Sequence, residues 1–318
     1  MLIGVLCAFG AGLLWGLVFI APLLLGDYPG MVLSFGRYVA FGVVALVPAW
    51  FGRAQIAALT RADWRAALKL SFVGNLLYYA LLASAIQKAG APLPTMLIGT
   101  LPVAIAIGAN LRPGHASEAV AWRRLAPSLL IILTGLLMVN ASELAQLTQQ
   151  GAGRRSMGDY LSGCALALAG VLAWTWYPIM NARHLKDNPN INPMAWATAQ
   201  GLATLPLALL GFAVYGALNK LGGGGFDFPL GPRPLLFVGL MLLIGLTASW
   251  LGTLLWNQAS RRLPTALAGQ LMVFETLFAL AYAFLLRGAL PSVAILSGIV
   301  FLCSGVLLGV RALRHQSH

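Results

Sequence analysis

Charge is what this sequence has least of. Of its 318 residues, 20 are Lys or Arg, 8 are Asp or Glu and 4 are His, against 59% hydrophobic residues and a mean hydropathy of +0.84. A soluble domain of this length needs a far more charged surface, so that class is excluded. Three cysteines, Cys7, Cys164 and Cys303, all fall in apolar runs, which argues against a disulfide framework or a cysteine metal site. The four histidines, His115, His184, His315 and His318, fall in expected connections or the tail and lack metal-ligand spacing. No nucleophile–base set and no G-x-x-x-x-G-K-[ST] loop is visible. An enzyme and an ATP-binding chain are both disfavoured, and no cofactor or metal is expected. The net charge of +12 invites a nucleic-acid reading. The basic residues, however, stand singly and in pairs between apolar runs, as topology signals do, and form no phosphate-binding stripe.

What is present is length without charge. Ten apolar segments lie at roughly 2–25, 31–51, 65–87, 91–111, 124–142, 159–182, 193–218, 234–260, 264–286 and 289–312. A helix of about 20 apolar residues crosses the hydrocarbon core, and in lipid such runs must satisfy their backbone internally. The segments are punctuated by "GDYPG", "KAGAP", "RPGHAS", "QQGAGRR", "KDNPNINP", "LGGGGFDFPLGPRP" and "RGALP". The first run lacks a basic flank and a small-residue cleavage site, so it reads as a span and not as a signal peptide. With a cytoplasmic N-terminus, thirteen basic residues fall on the inside and six outside, while Arg37 lies within a span. That bias places both termini in the cytoplasm.

The two halves resemble each other. "AFGAGLLWG" (8–16) aligns with "ALAGVLAWT" (167–175), "ASAIQKAGAPLPT" (83–95) with "NQASRRLPTALAG" (257–269), and "GLLMV" (135–139) with "GVLLG" (305–309). Five spans per copy invert the second copy in the membrane. The expected architecture is therefore all-α, ten transmembrane helices as two inverted five-helix repeats, residues 1–145 and 155–318.

The carriers "LLWGLVFIAP" (13–22), "SFGRYVAFGVVAL" (34–46), "ALLASAIQKAGAPLPTMLIGTLPVAI" (80–105) and "LTGLLMV" (133–139) resemble the drug/metabolite transporter superfamily with duplicated EamA-type domains. The second copy diverges: Trp196 stands at the place of Arg37, and "FETL" (274–277) at the place of "TLPV" (100–103). The aromatic load and the third span, "NLLYYALLASAIQ", are most similar to the YddG-type aromatic amino-acid exporters. That resemblance implies a bacterial inner-membrane carrier exporting aromatic and other neutral amino acids, with other metabolites or cationic drugs as the alternative. It implies no nucleic-acid partner. The residues specify no oligomeric state, and a monomer is compatible with them.

A solute path between the halves should be lined by polar and aromatic side chains at helical spacing. The candidates for substrate binding are Trp15, Asn75, Tyr78, Tyr79, Trp174, Tyr177, Trp250 and Asn257. Gly12, Phe19, Leu82, Thr95, Gly99, Thr100, Pro178, Asn181, Ser249 and Thr253 share their faces. The competing reading makes the rings interfacial anchors and the polar groups helix-to-helix ties. Glu275 is the one acidic residue near the middle of a span, where a charge costs about 2.5–3.5 kcal/mol. It either titrates or meets an amino group during transport, or bonds to a neighbouring helix as a neutral acid. Gln270 stands about 140° round the helix from it, so the two should not form one site. Arg37 matches a position where EamA-type domains often carry Arg, which implies a structural or outer-gate role ahead of substrate binding.

Overall fold

The computed structural model describes residues 1–89, 94, 97–111, 120–149, 157–288 and 290–314. Among these described residues ten main helices follow in order: α1 (Leu2–Leu24), α2 (Gly30–Phe51), α3 (61–89), α4 (Leu101–Leu111), α5 (Trp122–Gln149), α6 (Met157–Asp187), α7 (Pro193–Leu221), α8 (Pro234–Arg262), α9 (Thr265–Leu286) and α10 (Val293–Arg314). Among the described residues nine are long and apolar enough to cross a membrane, and α4 is a shorter apolar helix. Most of the expected start of the fourth span, including the path candidate Thr95, lies outside the described residues. So do the connections 112–119 and 150–156.

Local chemistry moves two expected boundaries. α3 starts at Arg61, ahead of the expected 65, because Thr60 and Asp63 form a capping box. Asp63 N donates to Thr60 Oγ1 at 3.2 Å and Thr60 N donates to Asp63 Oδ2 at 2.8 Å. α5 runs on to Gln149, past the expected end at 142, so the domain limit at 145 falls within a helix. The stretch "ASELAQLTQ" is rich in residues that continue a helix at little cost.

Among the described residues four helices depart from regular α geometry inside their length, α1 by a 3-10 turn at Leu17–Phe19. α3 and α8 each hold a π-helical stretch, at Phe72–Leu77 and Gly245–Leu251. Such wide turns frequently mark functional sites. α9 tightens instead: Met272 N donates to Gly269 O and Glu275 N to Met272 O, each spanning three residues. Glu275 therefore stands in the first turn of the helix that resumes at Val273, and not within an unbroken helix as the sequence suggested.

The pairing of helices has a regular form. α5 packs on α10, α2 on α7 and α4 on α9; α3 packs on α6 as α1 packs on α8, and α1 packs on α9 as α6 packs on α4. Adding five to both labels, counting cyclically through ten, returns the first three pairs to themselves and exchanges α3–α6 with α1–α8 and α1–α9 with α4–α6. Small residues permit the closest approaches. A Cβ at Gly135 would stand 2.8 Å from Gly298 O, and one at Gly305 3.0 Å from Ser128 O, which pins α5 to α10 at backbone distance.

At one end, the 222–233 loop folds around Tyr28 from the α1–α2 connection. The Tyr28 phenol donates to Leu230 O and accepts from Arg233 N, both at 2.8 Å, and its ring stacks on Phe237 at 5.2 Å. Gly231 has φ +68°, and a Cβ there would sit 2.6 Å from the Tyr28 ring, so only glycine suits both the backbone and the space. Arg233 Nη2 donates to Asp27 Oδ1, and this contact holds the Asp27 carboxyl below the usual carboxylate range. A lowered native pKa means the contribution is present above the unfolded value, about 3.9, and is lost as pH falls through the native one. Acidification below about pH 4 should therefore raise hydrogen exchange in the 222–233 loop. Asp27→Asn should show that faster exchange already at neutral pH; an unchanged rate there would mean that Tyr28 alone holds the loop.

Candidate functional site

Three rings form a continuous stack between α3 and α6. Tyr78 lies on Trp174 at 4.9 Å and 28°, and Trp174 lies on Tyr177 at 5.1 Å and 13°. Their spacing along α6, three residues, puts Trp174 and Tyr177 on one face, and Tyr78 meets them just past the π-helical stretch of α3. Close by stand the two charges singled out in the sequence. Arg37 Nε donates to Ser249 Oγ at 3.0 Å, a tie from α2 to the π-helical stretch of α8, and its guanidinium lies 5.2 Å from the Tyr38 ring centre. Among the described residues its Nη groups make no hydrogen bond. Arg37 and Glu275 act on each other electrostatically, and both act on Tyr38 and Tyr78, yet they form no ion pair. The Glu275 side chain is half-buried and has no hydrogen bond among the described residues. Its backbone is packed on α1: a Cβ at Gly12 would stand 2.9 Å from Glu275 N.

The remaining candidates fall into different settings. Asn75 donates to Thr204 Oγ1 at 3.0 Å, and the Tyr79 phenol donates to Gly30 O. Trp15 is buried against Trp256, 5.2 Å away, in the α1–α8 contact, and a Cβ at Gly252 would stand 2.7 Å from its Nε1. Trp250 donates to Thr198 Oγ1 at 3.1 Å and faces a cleft of about 720 Å³ between α2, α7 and α8, whose wall includes Val47, Phe51 and Leu246. Asn257 is fully buried and accepts from Asn181 Nδ2 at 2.9 Å. Thr100 closes the turn before α4 by donating to Leu97 O at 2.6 Å. Gln270 and Glu275 do not meet: Gln270 is fully buried over Gly309 and Ser128.

A second group joins Tyr177, Asn181 and Trp196 to three residues given no role in the sequence, Asp63, His184 and Gln200. His184 was assigned to a connection, but α6 extends to Asp187 and places it in the last helical turn, largely buried. Its Nε2 lies 3.1 Å from Asp63 Oδ1, an ion-pair distance whose angle is not that of a hydrogen bond. Its ring stacks on Trp196 at 4.3 Å. Trp196 Nε1 and Gln200 Nε2 both donate to Asn181 Oδ1, at 2.8 and 3.0 Å, and the Tyr177 phenol donates to Gln200 Oε1 at 2.8 Å. "TRAD" (60–63) carried a legible signal, the capping box. The side chains that meet those of Gln200 and His184 across helices lie more than ten residues away and left none. Among the described residues no group of three or more His, Cys, Asp or Glu could hold a metal ion.

The EamA-like transporter family matches residues 2–141. The inner membrane protein YtfF of Escherichia coli (strain K12) is 49% identical over 312 residues, covering 98% of this chain and 96% of its own. The chain belongs to the EamA-like transporter family. It is a membrane transporter of the drug/metabolite superfamily, whose members are generally non-enzymatic, and its partners are a small-molecule solute and the lipid bilayer. The relative's location and the many apolar helices make it a multi-pass inner-membrane protein. A solved crystal structure of a protein 20% identical superposes with a TM-score of 0.67 over 96% of this chain and 98% of its own, which shows a shared fold.

Proposed function

We propose that this EamA-family transporter exports amino acids, aromatic and other neutral ones, across the inner membrane by alternating access. Its two halves, residues 1–145 and 155–318, act as inverted five-helix repeats with both termini cytoplasmic. The helix pairing supports the repeat, because adding five to both labels, counted cyclically, maps this set of contacts onto itself. The paired π-helical stretches of α3 and α8 support it too.

The observation that carries the substrate reading is a pair of opposite charges, unpaired with each other, beside a triple ring stack. An α-amino acid at neutral pH is a zwitterion. Arg37 offers its Nη donors to a carboxylate, Glu275 an acceptor to an ammonium, and Trp174 with Tyr78 an aromatic face to the side chain. A lone cation would be served by Glu275 and the rings alone, leaving Arg37 repulsive, which ranks cationic drugs second.

Counterflow into proteoliposomes tests this. Labelled phenylalanine should exchange against internal phenylalanine or threonine with saturation, and sugars should not compete. Trp174→Ala should raise half-saturation for phenylalanine about tenfold and leave that for threonine nearly unchanged, since a ring pair contributes about 0.5–1.5 kcal/mol. Flux that fails to saturate would point to a channel. Saturable flux blocked only by organic cations would move the second reading to first.

A further inference from the structure

The buried polar group noted above forms one chain from the start of α3 to the ring stack. Asp63 meets His184; His184 lies on Trp196; Trp196 and Gln200 share the Asn181 oxygen; Gln200 accepts from Tyr177, which lies on Trp174. Trp196, Asn181 and Gln200 are each at most 2% exposed, so water is no alternative partner, and breaking a link leaves a polar group unsatisfied. The chain also joins the halves. Asp63 and Ser71 on α3 reach His184 on α6 and Gln200 O on α7, the latter at 3.1 Å. Withdrawing α3 from the α6–α7 elbow breaks both ties at once, which gives two discrete arrangements and no gradual series.

We propose that His184 and Gln200 are positioning residues that tie closure of the inner end to the aromatic stack, with the His184–Asp63 contact as its proton-responsive lock. The inner location and the substrate rest on the function proposed above. The charged group facing His184 from α3 is Asp63, whose Oδ2 is engaged by Thr60; α7 presents the uncharged Trp196; on α6 itself Asp187 also acts on it. Burial of the ring in the closed arrangement disfavours its protonated form more than the two carboxylates favour it, so acid loosens the lock.

Spin labels at the exposed positions Arg65→Cys and Asn190→Cys, with Cys7, Cys164 and Cys303 changed to Ser, report the distance across this end by pulsed EPR in proteoliposomes. Lowering pH from about 8 to about 5.5 brackets the ordinary imidazole value of about 6.5. It should lower the closed-to-open ratio about fivefold, the low end for coupling between sites. His184→Gln should lose that response, and so should Asp63→Asn, which keeps a capping side chain; a retained response in either folded variant overturns the lock. Saturating phenylalanine should shift the ratio in the parent and not in Gln200→Met, while Gln200→Met keeps the pH response. An equal phenylalanine shift in both overturns the tie to the stack. No phenylalanine shift in the parent refutes the amino-acid reading and leaves the pH comparison decisive for the lock.

Discussion

Glu275→Gln should abolish proton-driven accumulation while exchange of amino acid for amino acid continues at saturating substrate, with half-saturation raised about tenfold because a neutral amide replaces the charged acceptor of the ammonium. The expectation rests on where the carboxylate stands. A charge at this depth costs about 2.5–3.5 kcal/mol, so it persists only where something gains from it. A purely structural acid would be hydrogen-bonded to a neighbouring helix. The Glu275 side chain instead has no hydrogen bond among the described residues, is half-buried, and meets Arg37 only through the field between them. The amide replacement keeps shape and volume and removes the titration. Vesicles with an imposed pH difference should lose the concentrative phase, and the final internal-to-external ratio should fall to about 1. Counterflow needs no proton and should survive. If concentrative transport and its pH response persist in Glu275→Gln, the residue has only a packing role and another group carries the proton.

Much of the fold was legible because it follows from one-dimensional quantities. Apolar run length and the glycine and proline breaks located nine helices of spanning length among the described residues, and the shorter α4 follows a stretch that lies mostly outside them. Within the helices, two candidate faces were readable: Trp174 and Tyr177 stand three apart on α6, and Tyr78 is the aromatic that follows Asn75 by the same step on α3. What sequence could not give was the partner across a helix contact. Trp15 and Trp250 stood alike as path candidates, yet one fills the α1–α8 contact and the other walls a cleft between α2, α7 and α8. The tightened turn at Met272 has no proline or glycine at its centre to announce it, so Glu275 read as the middle of a helix. His184 looked like a loop residue because "KDNPNINP" follows so soon. The helix in fact continues to Asp187, and the last turn is where a histidine also complements the helix dipole.

Gly16→Leu should destabilise the fold by about 1–3 kcal/mol or prevent its assembly, whereas Gly239→Leu should change stability by less than about 0.5 kcal/mol. The sequence offers no reason to separate the two, since "GAGLLWG" and "GLMLLIG" read alike as small-residue packing patterns. The structure separates them. A Cβ at Gly16 would stand 2.8 Å from Phe278 Cβ and 2.9 Å from Ala279 N, and one at Gly12 would stand 2.6 Å from Phe274 Cβ. These are contacts with the root of a side chain and with backbone, and neither can swing aside. Relief requires α1 and α9 to move apart, which would also break the contact of the Tyr282 phenol with Leu13 O at 3.1 Å. Around Gly239 nothing lies within 4 Å, and the added side chain meets lipid or solvent. Thermal stability in detergent, followed by size-exclusion chromatography after heating, should give a lowered midpoint or aggregated protein for Gly16→Leu and a parent-like midpoint for Gly239→Leu. Because Glu275 rides on the same α1–α9 contact, a folded Gly16→Ala variant should weaken proton-driven accumulation more than exchange. Parent-like stability and coupling in both Gly16 variants would mean that α1 and α9 are not held at backbone distance, and the position assigned to Glu275 would fall with that contact.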